Sequence, residues 1–162
     1  MNKIFCFLAL IFTVSFVYAQ KDQRIAVIRY EELDEKIKNE KDKVVVVNFW
    51  STTCAPCVKE LPDFMEVNNQ FKDRANFKML LVSLDRIKDQ EKVMKFIREK
   101  NINAEVVLLD DIKRMNTWIP YFHENWEGNI PVTIIYKNTN KVHFNDGEMT
   151  RNELENLVSK NL

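Results

Sequence analysis

The sequence is poor in the residues on which several classes of function depend. Its 162 residues include two glycines, two histidines and three cysteines, and 24 basic residues balance 24 acidic ones. Two glycines cannot build the loops that cradle phosphates, and a chain without a basic stretch has nothing to attract a nucleic acid backbone. Phosphate-binding and hydride-transfer motifs are therefore excluded, and nucleic acid is not an expected partner.

The first residues form the longest apolar run of the chain. The stretch over residues 4–19 lacks charge, and it is shorter than the roughly 20 residues that span a bilayer. It ends in the letters VYA, which match a signal-peptidase site. We therefore predict a signal peptide over residues 1–19 and an exported, periplasmic domain over residues 20–162. The alternative is an uncleaved segment that tethers the domain to the inner membrane.

Export would remove one cysteine and leave a single pair. Cys6 lies inside the predicted signal peptide, so the mature domain keeps Cys54 and Cys57 in a compartment where disulfides persist. A bridge this short removes little entropy from the unfolded chain, which disfavours a purely structural disulfide. A metal site is disfavoured too, because zinc needs four ligands and the mature chain adds only the distant His123 and His143.

The apolar pattern predicts strands and helices in alternation. The continuous β-branched run at 43–50 indicates a central parallel strand that is buried on both faces. Alternating elements predict an α/β fold with helices on both faces of the sheet, and the last two strands predict an antiparallel hairpin. Predicted strands lie at 24–30, 43–50, 77–85, 104–110, 131–137 and 141–146, and predicted helices at 30–43, 55–71, 88–101 and from about 150.

Two prolines and an aromatic-rich segment complicate this pattern. Pro62 should kink the second helix, and Pro120 should end a short helix within residues 110–129. The aromatic side chains of this segment either line a binding surface or, as we favour, form a satellite core under a long loop. They are Trp118, Tyr121, Phe122 and Trp126.

The cysteine pair lies where the central strand gives way to the second helix. Thiolate is the attacking form of cysteine, and a helix N-terminus stabilises it through unpaired N–H groups and the helix dipole. Because Cys54 lies at that end and Cys57 one turn inside, we assign Cys54 as the nucleophile and Cys57 as the resolving cysteine. A peroxidase is disfavoured, since its attacking cysteine needs an upstream Pro and a Thr or Ser around it, and a valine-rich strand precedes Cys54.

Glu60 follows Cys57 by three residues on the predicted helix. Its side chain therefore lies near the resolving cysteine, where a carboxyl group in an apolar pocket can act as a general acid or base. Taken alone, the residue fits an ordinary surface charge equally well.

The stretch VVVVNFWSTTCAPCVKELP, residues 44–62, resembles the active-site segment of the thioredoxin superfamily, specifically of its exported TlpA/ResA-like thiol-disulfide oxidoreductases. The resemblance implies a thioredoxin-like fold with a central mixed sheet, and it implies that Glu60 assists proton transfer at the buried thiol. Asn48 stands where cytoplasmic thioredoxins have a buried Asp, and Thr53 where many family members have Trp. The shared positions are Phe49, Trp50, Cys54, Ala55, Pro56, Cys57, Glu60 and Pro62.

A second resemblance lies far along the chain. The letters IPVT at residues 130–133 resemble the family's cis-proline loop, which faces the cysteine pair and pairs with extended substrate. This implies a cis bond before Pro131 and a backbone at Ile130 that accepts a client peptide. The client-binding surface that the resemblance implies comprises Trp50, Ala55, Pro56, Ile130 and Pro131.

The function implied by the resemblance is exchange of a Cys54/Cys57 dithiol with disulfides of client proteins, as a reductant, with an apocytochrome c as one candidate client. Electrons would come from a membrane thiol-disulfide donor, and the redox-active cysteine pair would require no further cofactor or metal. Two other hypotheses stay open. One is a non-catalytic binding module that uses the aromatic segment, and the other is a copper-handling protein that binds Cu(I) through both thiols.

Overall fold

The computed structural model describes residues 25–162, and in this range six strands form one sheet flanked by five helices. The signal-peptide prediction for residues 1–19, with Cys6, lies outside the described residues. No helix within 25–162 is long and apolar enough to cross a membrane. The elements are β1 (Ala26–Ile28), α1 (Tyr30–Lys38), β2 (Val44–Trp50), α2 (Ala55–Phe71), β3 (Phe77–Ser83), α3 (Gln90–Glu99), β4 (Glu105–Leu109), α4 (Met115–Phe122), β5 (Val132–Lys137), β6 (Asn140–Asp146) and α5 (Arg151–Asn161).

The sheet is mixed, with the strand order β1-β4-β3-β2-β5-β6. The first four of these strands run parallel, whereas β5 is antiparallel to both β2 and β6. The predicted α/β class with a mixed sheet is therefore confirmed. The run at 43–50 does form the central, fully buried strand β2. This strand is parallel to β3, as predicted, and antiparallel to β5, which the terminal hairpin places on its other side.

Successive side chains of β2 point to opposite sides of the sheet, and two separate cores result. On the side that we call the α2 face, Val46 and Trp50 pack with residues of α2, α3 and α5. On the other side, the α4 face, Val47 and Phe49 pack with residues of α1 and α4. The helices thus cover both faces of the sheet, as the alternating pattern predicts.

Neither proline ends its helix. α2 continues through Pro62 to Phe71, and α4 continues through Pro120 to Phe122, so the predicted end at Pro120 was wrong. A proline removes one backbone hydrogen bond from a helix interior. Buried side chains on both sides of each proline, such as Trp118 and Phe122 in α4, anchor these helices to the sheet and outweigh that loss.

Most of the aromatic segment forms a core around Phe49 on the α4 face. The ring centroid of Phe49 lies 4.5 Å from that of Trp126, 5.4 Å from that of Phe122 and 6.5 Å from that of Trp118. The prediction that the segment forms a core is confirmed for these three residues, but they join the main core of this face, with Trp118 and Phe122 in α4, and not a satellite core under a long loop. Tyr121 is the exception, because it is 45% exposed.

One edge of the sheet collects the segments that the sequence singles out. The carboxyl ends of the parallel strands β2, β3 and β4 lie at this edge, and the amino end of the antiparallel β5 joins them. Phe49 pairs with Val132 in this register. The loop that carries Cys54 therefore lies opposite Ile130 and Pro131, although more than seventy residues separate them in the chain.

Candidate active site

The two cysteines form a disulfide at the start of α2. Cys54 is the N-cap residue, and its Sγ accepts a hydrogen bond from the backbone N–H of Cys57 at 3.3 Å. Pro56 occupies the first turn, where its missing N–H removes no helix bond. Cys54 is half-buried, whereas Cys57 has no exposed surface. Only Cys54 is open to an approaching sulfur, which is what an attacking Cys54 and a resolving Cys57 require.

The Ile130-Pro131 peptide bond faces this pair and is cis, so the bond that the resemblance implies is confirmed. Sγ of Cys54 lies 3.6 Å from the carbonyl oxygen of Ile130. In the disulfide this sulfur carries no proton, so the approach is a contact and becomes a possible hydrogen bond only in the thiol. Within the described part of the chain, the N–H of Ile130 donates no hydrogen bond and is left free for an extended peptide.

Glu60 is buried on the α2 face and is only 3% exposed. Its Oε1 accepts a hydrogen bond from Nδ2 of Asn48 at 2.8 Å, and its Oε2 accepts one from the backbone N–H of Met149 at 2.9 Å. Burial raises the pKa of Glu60 to about 7, although both hydrogen bonds oppose the shift. The surface-charge alternative is therefore excluded, and the carboxyl group can take up and release protons near neutral pH.

Asn48 extends this polar group toward β5. Its Nδ2 also donates to Oγ1 of Thr133 at 3.1 Å, while its Oδ1 is buried with no partner among residues 25–162. A neutral amide at this position donates to Glu60 without adding a second ionisable group. Glu60 is therefore the ionisable member of this buried pair, and its role in proton transfer, which the resemblance implies, stays a prediction.

Trp50 lies in the core and does not belong to a client-binding surface, so its prediction as a contact residue was wrong. It has no exposed area, because its position at the end of β2 points into the α2 face, where its ring centroid lies 5.4 Å from that of Phe96. Ala55 and Pro56 are exposed beside Cys54, and Ile130 is half-buried. Pro131 is itself buried, so the backbone before it is the part that a client can reach.

Three polar partners of the site were not identified from the sequence. Met149 and Thr133 reach Glu60 and Asn48 across 89 and 85 residues of chain, and no local pattern indicates either contact. Asp85 accepts hydrogen bonds from the loop that precedes Cys54. The sequence could have indicated this contact. Asp85 follows β3, the parallel neighbour of β2, so it lies at the same edge of the sheet as the loop before Cys54.

The two histidines lie in β6 and in the loop after α4. The ring of His123 stacks on Phe144 with centroids 3.8 Å apart, and His143 is half-buried on β6, where desolvation lowers its pKa. The part of the chain that the structure describes holds no cluster of three or more His, Cys, Asp or Glu side chains able to bind a metal ion.

Comparisons with known proteins agree with this geometry. The AhpC/TSA family matches residues 20–145. Thiol-disulfide oxidoreductase ResA of Bacillus cereus (strain ZK / E33L) is 27% identical over 126 residues, which cover 77% of this chain and 67% of that protein.

Solved structures give the same result. A thiol:disulfide interchange protein from Bacteroides sp. is 28% identical, with a TM-score of 0.60, covering 76% of this chain and 75% of that one. StoA from Bacillus subtilis, at 23% identity and a TM-score of 0.57 over 72% of this chain and 82% of its own, shares the fold. The thioredoxin-like fold is thus confirmed. The chain belongs to the AhpC/TSA family of the thioredoxin superfamily, as a thiol-disulfide oxidoreductase.

Proposed function

We propose that the protein is an exported reductant of disulfides in client proteins, with Cys54 as the attacking and Cys57 as the resolving cysteine. One observation carries the proposal: the disulfide has one accessible sulfur, beside a cis-proline loop, and one fully buried sulfur. Such an asymmetric pair can bind a client through Cys54 and release it through Cys57.

The reaction balances in two exchanges. The thiolate of Cys54 attacks one sulfur of the client disulfide, and the other client sulfur leaves as a thiolate. The thiolate of Cys57 then attacks Sγ of Cys54, which forms the internal disulfide and releases the second client sulfur. Two electrons and two protons pass to the client. Glu60, with a pKa of about 7, accepts the proton of Cys57 and returns one toward the departing thiolate.

The charge around the pair favours the reducing direction. A cysteine pair becomes a strong oxidant when its surroundings stabilise the thiolate, because the reduced form is then favoured. The thiolate of Cys54 gains the helix N-terminus and the N–H of Cys57. An ionised Glu60 opposes this by repelling negative charge. This repulsion disfavours the reduced, thiolate-bearing form, so that the pair gives up electrons more readily.

Export and the electron supply are part of the same proposal. The apolar run over residues 4–19 and the family match that begins at residue 20 support a signal peptide over 1–19 followed by a domain over 20–162. In the periplasm, the Cys54–Cys57 disulfide left by each turnover must be reduced again, which requires a membrane thiol-disulfide donor. The intact mass of the exported protein tests this. A mass that corresponds to a chain starting at Gln20 would support cleavage, and one that corresponds to a chain starting at Met1 would contradict it.

Reduction of insulin by dithiothreitol tests the activity. The wild type should accelerate the reaction, and Cys54→Ser should abolish the acceleration, because the attacking thiolate is lost. Equal rates for the two proteins would favour a non-catalytic binding module. The structure gives that alternative little support, since most of its aromatic segment is buried around Phe49.

The direction and the client require two further measurements. Equilibration of the pair with glutathione should give a reduction potential more negative than that of the glutathione couple, and a more positive value would contradict a reductant. A peptide that carries the disulfide of an apocytochrome c haem site should be reduced at least as fast as insulin. A much slower reaction would exclude this client.

A further inference from the structure

Asp85 lies directly after β3 and binds the loop that carries the attacking cysteine. Its Oδ2 accepts hydrogen bonds from the backbone N–H of Thr52 at 2.9 Å and from the hydroxyl of Ser83 at 2.8 Å. Its Oδ1 accepts one from the hydroxyl of Thr52 at 2.7 Å. One carboxylate thus joins the end of β3 to a residue two positions before Cys54.

The rest of that loop is held mainly by its own atoms. The N–H of Cys54 donates to the carbonyl oxygen of Ser51 at 3.3 Å, and the hydroxyl groups of Ser51 and Thr53 lie 3.2 Å apart. Among residues 25–162, Asp85 is the one side chain outside the loop that forms a hydrogen bond with it. Backbone hydrogen bonds hold both ends of the loop, from Leu84 to Trp50 and from Val58 to Cys54, and Asp85 supplies the side-chain contact between them.

We propose that Asp85 is a positioning residue for Cys54. The two hydrogen bonds that Thr52 donates to one side chain fix its backbone and its hydroxyl group together. A fixed Thr52 holds Sγ of Cys54 against the N–H of Cys57 and the carbonyl of Ile130. The inference rests on the proposed attack by Cys54, because positioning matters only for the sulfur that meets the client.

A neighbouring aspartate provides the matched control. Asp111 follows β4 at the same edge of the sheet and is 2% exposed. It accepts a hydrogen bond from the backbone N–H of Tyr30 at 3.2 Å and pairs with Arg114. Asp111 thus binds the backbone at the start of α1, as Asp85 binds the loop before α2, but the segment that Asp111 holds carries no cysteine.

The experiment measures exchange of the reduced protein with a disulfide-bonded peptide, and alkylation of Cys54 by iodoacetamide followed by mass spectrometry. Asp85→Ala should lower the rate with the peptide about tenfold, because a displaced sulfur no longer aligns with the docked disulfide. Alkylation at high pH should stay unchanged, since a small reagent needs no alignment. Asp85→Asn retains an acceptor for the N–H of Thr52 and should recover most of the rate, and Asp111→Ala should match the wild type.

Three results would overturn the inference: a wild-type rate in Asp85→Ala, an equal loss in Asp85→Asn, or an equal loss in Asp111→Ala. Amide hydrogen exchange adds a readout that needs no client. Asp85→Ala should speed exchange at Thr52 and Cys54 about tenfold, through loss of about one strong hydrogen bond. Unchanged exchange there would refute the positioning role. Failure of the wild type to react with the peptide would instead refute the proposed function.

Discussion

Consecutive residues of β2 face opposite sides of the sheet, and the two sides treat buried polar groups differently. On the α4 face, Phe49 lies among aromatic rings whose polar atoms are satisfied. The indole N–H of Trp118 donates to the carbonyl of Asp111 and that of Trp126 to the carbonyl of Asn129, both at 2.8 Å. This face combines a large apolar area with indole N–H groups that are hydrogen-bonded, which is the composition of a stabilising core.

The α2 face buries groups that cost stability. Glu60 is nearly inaccessible with a pKa raised to about 7, and both Oδ1 of Asn48 and the indole N–H of Trp50 lack partners within 25–162. Unsatisfied polar groups of this kind are rare in folded proteins and concentrate where they have a role. The comparison shows that one face is a well-satisfied apolar core, whereas the other accepts a cost in stability to bury a carboxyl group on the helix that carries Cys57.

The largest predicted effect is a loss of stability when the core of the α4 face is disrupted. Phe49→Ala should lower the free energy of unfolding by about 3 to 5 kcal/mol, because it empties the centre of the aromatic core. The reduction potential of the cysteine pair should stay unchanged in the protein that remains folded. Urea unfolding of the oxidised protein measures the first quantity, and equilibration with glutathione measures the second. A shifted potential would show that the two faces are not independent.

The second prediction concerns the pH dependence of stability that the buried Glu60 gives to the α2 face. Between pH 4.5 and about 7 the folded protein keeps a proton on Glu60 that the unfolded chain has released, so stability falls as pH rises through this range. The difference is on the order of 2 to 3 kcal/mol. Urea unfolding of the oxidised protein at pH 5 and pH 8 should therefore show a steeper decline in the wild type than in Glu60→Gln.

Glu66→Gln is the matched control for this prediction, because Glu66 is an exposed carboxylate on the same helix. The free energy of unfolding of Glu66→Gln should decline between pH 5 and pH 8 as steeply as that of the wild type. Equal slopes in the wild type and Glu60→Gln would show that Glu60 does not titrate with a raised pKa and would remove the basis for its role in proton exchange.

The smallest predicted effect compares two buried indoles. Trp118→Phe removes one of the two hydrogen bonds that the carbonyl of Asp111 accepts, the other being donated by the N–H of Arg114. Trp50→Phe instead removes a buried N–H that has no partner within residues 25–162. The loss of stability should therefore be about 1 to 2 kcal/mol larger for Trp118→Phe than for Trp50→Phe. Thermal unfolding of the two variants measures the difference. A larger loss for Trp50→Phe would mean that its N–H is satisfied in solution.

Local patterns were enough to predict the elements and the cysteine pair. β-branched runs marked the strands, and the helix start at Ala55 placed Cys54 and Cys57 in their different environments. The cis bond before Pro131 required the family resemblance, because nothing local to an Ile-Pro pair favours cis.

The errors arose where tertiary packing decides. The family motif led us to place Trp50 on the client-binding surface. Its side chain is buried because the strand register points it into the α2 face, where it packs on Phe96 of α3. Pro120 remains inside α4 because neighbouring aromatic residues anchor that helix to the sheet. The contacts of Glu60 with Met149 and of Thr52 with Asp85 join distant segments, and a single sequence does not show which distant residues meet.

The central claim is that Cys54 attacks and Cys57 resolves. The most direct test incubates reduced Cys57→Ser and Cys54→Ser with a disulfide-bonded peptide and locates the adducts by mass spectrometry. We predict a stable mixed disulfide on Cys54 in Cys57→Ser, because the resolving thiol is missing, and almost none on the buried Cys57 in Cys54→Ser. Equal adduct formation on the two cysteines, or none on Cys54, would contradict the account.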